Sequence, residues 1–235
     1  MAAYGVGTLY VEASNYSHGS MVRRPYLAVL LEQAHAQGIK VIAWTLPGFR
    51  DLARDRRQIL AVRDFRAGGE RFDGYAMDIE ATIVPSLTVR DRRALALLSW
   101  ARTALGPGYP LGAIIPSPSL IAMAGGFWND FPYAAVAARS DVLMPMSYAT
   151  LLPGWRRDAA GYVARDVELL REQAGQGTPI HSIAGLSEGI SASAAGQIAA
   201  EMEILGVIGG SLYEFEHTSA GAWAAFAPLR ALASS

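Results

Sequence analysis

Two acids stand two residues apart at the end of a short apolar run, Phe72-Asp-Gly-Tyr-Ala-Met-Asp-Ile-Glu80. In a strand, successive side chains alternate between the two faces. Ala76, Asp78 and Glu80 then share one face, while Tyr75, Met77 and Ile79 share the other. The second set is apolar and belongs beneath helices, so the acids face inward. Inward-facing acids are costly unless they are solvated, paired or used. Two nearby carboxylates also push one pKa upward, as a general acid at neutral pH requires. The competing account of the pair is a salt bridge that closes the fold.

Other residue types extend the chemistry. Glu12 sits between Val11 and Ala13, and with Tyr10 and Ser14 facing inward it becomes a second catalytic carboxylate opposite Glu80. Its alternative is a strand-edge charge paired to an arginine. Glu214 and Glu216 flank Phe215, out of phase with Ser211, Tyr213 and Phe215; with the aromatics inward, Glu216 is a rim residue. Asn15 and Ser117 are polar residues at strand ends. Tyr16, Trp44, Trp128, Tyr133 and Trp155 fall near loops at strand ends, where flat rings make stacking platforms for the apolar face of a ligand. Trp44 and Trp128 are the favoured cleft residues, and Trp100 and Trp223 fit helix packing better. His18, His35, His181 and His217 are scattered without a His-x-His or His-Glu-x-x-His spacing, so no metal site is expected. Ser117 and Ser187 lack the Gly-x-Ser-x-Gly context of a serine hydrolase. The absence of cysteine excludes disulfides, thiolate zinc sites and cysteine nucleophiles.

The Phe72–Glu80 segment resembles the strand-four motif of family 18 glycoside hydrolases, the chitinase-like barrels, which reads Asp-Gly-x-Asp-x-Asp-x-Glu. Asp73, Gly74, Asp78 and Glu80 match it, and Ala76 stands where the family has its middle Asp. The resemblance implies that Glu80 protonates the glycosidic oxygen and that Asp78 orients the N-acetyl group whose carbonyl attacks the anomeric carbon. The family's middle Asp relays charge to its neighbour, a function Ala76 lacks. Met144-Pro-Met-Ser-Tyr148 is similar to the family's strand-six Met-x-Tyr, which maps onto Met146 and Tyr148 and gives Tyr148 a supporting role in the site. Tyr213 or Phe215 corresponds to the tryptophan that floors the sugar site on the family's last strand. The chain also resembles a broader group of bacterial glycosidase-like barrels, with an inward Asp-x-Glu on a central strand and a later Pro-x-Met-x-Tyr strand. Together these imply a hydrolase of a polysaccharide or cell-wall glycan that needs no cofactor or metal. The alternative is a lectin-like barrel that keeps the cleft and has lost catalysis, which the Ala76 departure favours. With Glu12 as the partner of Glu80, a two-carboxylate mechanism would need ~5 Å between the groups for retention, or ~6.5–9.5 Å for inversion.

The elements that position these residues follow one rhythm. A short apolar or β-branched run is followed by a polar turn and an amphipathic stretch ending at Gly. Strands are expected at Val6–Ala13, Lys40–Leu46, Asp73–Ile79, Leu111–Ile115, Val142–Tyr148, Ile180–Gly185 and Val207–Phe215. Helices are expected at Pro25–Gln37, Leu52–Ala67, Arg90–Leu105, Tyr133–Arg139, Ala160–Ala174, Ala192–Leu205 and Ala220–Leu232. Ser191 and Ser193 are candidate N-caps, and Gly38, Gly106, Gly175 and Gly206 sit where helices should end. Residues 116–130 read as a long loop. Strands recurring every ~30 residues with helices between them are stacked βαβ units on a parallel sheet. Glu12-Ala-Ser-Asn-Tyr-Ser-His18 is no Gly-rich phosphate loop, which argues against an open nucleotide-binding sheet. Polar residues at many strand ends fit an α/β fold of the (β/α)8 TIM-barrel type, whose site is assembled from several strands. Seven strands are counted, so the barrel is incomplete or its first strand is missing, and the seven are assigned as the second to the eighth.

Composition is consistent with one domain over residues 1–235. Hydrophobic residues make up 51% of the chain, enough for a large core, and the apolar runs are too short for the ~20 residues that span a bilayer. The formal net charge is -1, with no basic stripe for nucleic acid and no polybasic flank for a membrane surface. The resemblance implies a carbohydrate partner, and an open barrel edge would additionally permit a homodimer. No signal peptide is visible at the N-terminus. The chain is thus cytoplasmic, or exported with a leader outside this sequence.

Overall fold

The computed structural model describes residues 1–124, 127–151, 154 and 158–229. Among them are seven strands: β1 (Thr8–Asn15), β2 (Lys40–Leu46), β3 (Gly74–Asp78), β4 (Leu111–Pro116), β5 (Val142–Ser147), β6 (His181–Leu186) and β7 (Gly209–Tyr213). The α-helices are α1 (Arg24–His35), α2 (Leu52–Arg63), α3 (Leu87–Leu105), α4 (Pro118–Ala124), α5 (Tyr133–Ala137), α6 (Ala159–Ala174), α7 (Ala192–Ile204) and α8 (Ala220–Phe226). β1 to β4 pair in parallel in chain order, and so do β5 to β7. This is the α/β class of the (β/α) barrel, with seven strands rather than eight among the described residues.

Local signals explain most boundaries. Asp51, Ser86, Asp158, Ser191 and Ser219 each accept a hydrogen bond from a backbone N–H in the first turn of α2, α3, α6, α7 and α8, which satisfies one orphan donor per helix. Ser193 lies inside α7 rather than at its cap. Ser86 starts α3 three residues before the expected Arg90. The expected loop at 116–130 contains a helix, α4, that opens on Pro118, where the missing N–H of proline costs nothing. The last strand is shorter than expected, because Phe215–His217 turn into a 3₁₀ helix. The tail of the last expected helix, residues 230–232, lies outside the described residues.

The chain clusters into two compact units interleaved in sequence. One comprises Gly7–Ile114 and Phe127–Asp141; the other contains the remaining described residues. In the first unit the helix-facing side of the sheet carries Val41, Ala43, Tyr75, Met77 and Ala113, all fully buried. Thr45 joins this side, sharing a 2.6 Å hydroxyl–hydroxyl hydrogen bond with Tyr75. Buried polar side chains on the helices hold the loops that follow the strands. Asp55 on α2 accepts from the backbone N–H groups of Gly48 (3.3 Å) and Phe49 (3.0 Å). Gln58, one turn on, donates to the carbonyls of Asn15 and Gly19. Arg90 on α3 donates to the carbonyls of Val84 (3.0 Å) and Phe127 (2.8 Å) and stacks over Trp128.

The second unit uses the same device. Asp166 on α6 is fully buried. It accepts from the Ser117 hydroxyl (2.8 Å), the Ser119 N–H (2.8 Å) and the Ser147 hydroxyl (2.7 Å). Tyr162, one helical turn before it, shares a 2.6 Å hydrogen bond with Ser117. One carboxylate thus pins the end of β5 and the start of α4 to α6.

At the opposite, N-terminal end of the strands in the first unit, Asp73 accepts from Val41 N–H (2.7 Å) and pairs with His35 Nε2 (2.9 Å). His35 Nδ1 pairs with Glu70 at 2.8 Å. Burial pushes the His35 pKa down, but its bonds to Asp73 and Glu70 outweigh that and leave it raised.

Two stability measurements test these anchors. Asp166→Ala leaves three donors without an acceptor and should cost about 2–4 kcal/mol. The matching fall in Tm is roughly 5–15 °C by thermal unfolding. Asp166→Asn should be milder, because the hydroxyls can rotate to accept from the new amide. A raised His35 pKa contributes stability that is complete below the unfolded value near 6.5 and lost as pH rises through the folded value. His35→Gln should therefore flatten the pH dependence of Tm above pH ~6.5, and an unchanged slope would show that another group titrates.

Candidate active site

The site is built on the open face of β1, β2 and β3. Register pairs Glu12 with Trp44, Trp44 with Ala76 and Ala76 with Gly112, so these four residues form one row across the sheet. Paired positions of parallel strands point the same way, so Glu12 and Trp44 share the face of Ala76, and with it that of Asp78 and Glu80. The Thr45–Tyr75 bond, on the helix side, fixes the phase independently. Asp78 is the last residue of β3 and pairs with Ile114. Ile79 N–H still donates to Ile114 carbonyl at 2.8 Å, and Glu80 follows it, just past the ladder. The bulge in β1 lies between Glu12 and Ser14, where the pairing register slips by one residue. Gly74, at the base of β3, has no room for a side chain: a Cβ there would lie 2.8 Å from Ile42 Cδ1 and 3.0 Å from Pro110 Cβ.

Asp78 is only 6% exposed. Its Oδ1 atom is buried with no hydrogen-bond partner among the described residues. Burial, then the charges of Glu80 and Glu12, hold its carboxyl well above the usual range. Burial also raises Glu80. The Asn15 side-chain amide donates from Nδ2 to Glu12 Oε1 at 2.5 Å, and its Oδ1 accepts from the Ser17 N–H and hydroxyl. None of Glu12, Asp78 and Glu80 forms an ion pair among the described residues. Among the described residues no arginine supplies the salt-bridge account of the acids. Asp78 and Glu80, both raised by burial, retain a proton at a pH where free carboxylates have lost theirs, which is what general acid chemistry needs.

The structure brings together Glu12, Asn15, Trp44, Asp78 and Glu80 in the first unit. Trp128 does not present a ring to solvent. It is fully buried, edge-on to Phe49 and Phe131, with Nε1–H donating to Asp91 at 2.7 Å. It is a packing residue because α3 and its neighbouring loop close over it, which no local pattern announces. In the second unit Ser117 is 1% exposed, and its hydroxyl is committed to Asp166 and Tyr162. Ser147 points to α6, so the buried Met146 lies on the other face of β5, and Tyr148 follows the end of that strand, its N–H donating to Met146 carbonyl at 2.8 Å. Tyr148 and Tyr213 stack with centroids 6.1 Å apart, and Tyr213 is 42% exposed. Phe215 instead lies in the 3₁₀ turn against Trp223, so Tyr213 is the aromatic at the end of the last strand. Glu216 is exposed in the same turn. Trp155 lies outside the described residues. Sequence reasoning missed Asp55, Gln58, Arg90 and Asp166. Their only trace is a polar residue placed within the buried stripe of a helix.

Among the described residues no group of three or more His, Cys, Asp or Glu side chains is arranged to hold a metal ion, and no helix is long and apolar enough to cross a membrane. No family model and no curated protein matches the chain. Solved structures do. A chitinase from Chromobacterium violaceum superposes with a TM-score of 0.67 at 15% identity, over 95% of this chain and 91% of that one. The spore cortex-lytic enzyme SleL of Bacillus cereus gives 0.73 at 11% identity, over 96% and 68%. A chitinase-like agglutinin from Robinia pseudoacacia gives 0.64 at 12% identity, over 98% and 94%. At such identities the likeness speaks for architecture, and it is consistent from chitinase to lytic enzyme to agglutinin. The chain has the fold of the chitinase-like glycosidases.

Proposed function

We propose that this protein is a glycoside hydrolase of a polysaccharide or cell-wall glycan, with Glu80 as its general acid. The observation that carries the proposal is the group of unpaired carboxylates on one strand face, with Asp78 buried and both Asp78 and Glu80 held above their ordinary pKa. Glu80 gives its proton to the glycosidic oxygen as the bond from that oxygen to the anomeric carbon breaks. The bonding electron pair leaves with the oxygen, and positive charge grows on the sugar ring. Asp78 orients the substrate or stabilises that charge. Glu12, held by Asn15, is the further carboxylate available to activate water. Trp44, in the same row, offers a flat apolar wall. The resemblance noted above gives Tyr148 a supporting role, and Met146 and Tyr213 substrate contacts. The names of the structural neighbours suggest N-acetylated glycans as the first substrates to try.

Ala76 supports a second reading, a carbohydrate-binding barrel without turnover. It places a methyl group beside Asp78 where the resembling motif has an acid. An agglutinin with the same fold keeps this reading open.

The deciding assay is hydrolysis of chromogenic glycosides and cell-wall glycans by wild type and Glu80→Gln. The variant should lose ~10²-fold or more in kcat, the scale of general acid catalysis. Wild-type activity should fall as pH rises through the raised Glu80 value. Equal turnover by Glu80→Gln would remove the acid assignment, and tight glycan binding without wild-type turnover would establish the lectin-like reading. Asp78→Asn makes a separate prediction. A carboxyl with a raised folded pKa destabilises the fold once the unfolded group ionises, so stability drops as pH rises from that point. The variant should therefore have a higher Tm than wild type at pH 7 and the same Tm below pH ~4, with activity lost. A lower Tm at pH 7 would mean that the ionised Asp78 is stabilised by its surroundings.

A further inference from the structure

Of the three acids, Glu12 is the one with a hydrogen-bond donor among the described residues. The donor is Nδ2 of Asn15, at the end of β1 and 2.5 Å away. The orientation of that amide is fixed. Its other end faces the backbone N–H of Ser17 at 2.9 Å. That group can only donate, so the atom facing it is the oxygen, and the nitrogen is turned to Glu12. The Ser17 hydroxyl and His18 Nδ1 each lie 2.7 Å from the same oxygen. An amide oxygen only accepts, so His18 carries a proton on Nδ1.

The loop that supplies these donors is itself anchored. Gln58 on α2 holds the backbone carbonyls of Asn15 (2.8 Å) and Gly19 (3.2 Å), Arg54 donates to that of His18, and the Ser14 hydroxyl donates to that of Gly19 at 3.0 Å. A hydrogen bond donated to a carboxylate favours its ionised form. No hydrogen bond among the described residues reaches the second Glu12 oxygen, and the side chain is half-buried rather than sealed. Burial instead favours the protonated forms of Asp78 and Glu80. Glu12 lies on β1 and Glu80 just past β3, with β2 between. Two strand spacings, roughly 9.5 Å, therefore separate their backbones across the sheet. That suits the ~6.5–9.5 Å gap of a single displacement through water better than the ~5 Å of a double displacement. We infer that Asn15, locked by Ser17 and His18, positions Glu12 as the base of a single displacement that inverts the anomeric carbon. Glu12 takes a proton from water, the water oxygen bonds to the anomeric carbon, and the bond from that carbon to the glycosidic oxygen breaks. Its electron pair stays on the leaving oxygen, which takes the proton of Glu80. The inference rests on the glycosidase reading of the carboxylate site, and adds to it the role of Asn15 and the configuration of the product.

The test follows, by proton NMR before mutarotation, the anomer first released from chito-oligosaccharides and from soluble peptidoglycan fragments. Inversion is expected, and Glu12→Gln should lose ~10²-fold or more in kcat. Asn15→Asp is the diagnostic variant. It keeps the oxygen that faces Ser17 and His18, but sets a second carboxylate against Glu12. Carbon NMR of the Glu12 carboxyl should show it taking up its proton about one pH unit higher than in wild type, and the acidic limb of kcat/KM should move with it. A residue that only held the fold would change Tm without moving either titration. Retention of configuration, or an unmoved Glu12 titration in a folded Asn15→Asp, overturns the inference, while loss of activity in Glu80→Gln still upholds the acid assignment. A wild type that turns over none of these glycans removes the hydrolase reading and the displacement with it.

Discussion

Keeping Asp78 buried without a counter-charge is the constraint around which the first unit is organised. A carboxylate removed from water and left without hydrogen bonds is strongly unfavourable, and the least costly response is to keep its proton. The neighbouring acids push in the same direction. Nothing local to β3 would hold such a group in place; left free, the strand end would turn it toward solvent. It stays because β3 is hydrogen-bonded on both sides, and because its helix-facing residues, Tyr75 and Met77, are fully buried. Burial of that apolar face fixes the phase of the strand, and the phase puts Asp78 where it is. A slip of one residue would reverse every side chain, so the stability of the core and the placement of the acids are one property.

The loops above the strands are held by a second, repeated solution. A helix that follows a strand sends one buried polar side chain back to the backbone of a preceding loop. Asp55 and Gln58 do this from α2, Arg90 from α3 and Asp166 from α6. Each bond satisfies a backbone group that would otherwise be stranded near the core, and each replaces loop freedom with a defined geometry. Function needs such loops, because residues just beyond strand ends, such as Glu80, must keep their positions without ladder hydrogen bonds. The two units adopt this solution with different residues: a carboxylate collecting N–H and hydroxyl donors in one, and a guanidinium collecting carbonyls as well in the other.

The chitinase-like architecture and the carboxylate cluster support each other in the glycosidase reading, but they have different origins. The architecture follows from βα repetition, and hosts both hydrolytic and lectin-type proteins among its structural neighbours. The chemistry resides in a few side chains. Ala76 is the point of difference from the resembling motif. With only a methyl group there, the acid on another strand whose charge acts on Asp78 is Glu12, two strands away in the row of Ala76. The site is thus assembled laterally across the sheet as well as along one strand.

By itself the sequence determined the fold class, all seven strands to within a few residues, most helix starts, and the face on which Asp78 and Glu80 lie. These are set by short-range physics: a period of two in strands, capping side chains such as Ser191, and glycine at helix ends. Tertiary structure alone decided the rest. Trp128 and Ser117 have the composition of cleft residues, yet packing by α3 and the Asp166 network buries them. Glu12 and Asp78 are far apart in the chain, and only the parallel register of β1, β2 and β3 makes them neighbours on one face. Burial and lateral pairing are non-local quantities. They depend on which elements meet, and no window of the sequence contains both partners.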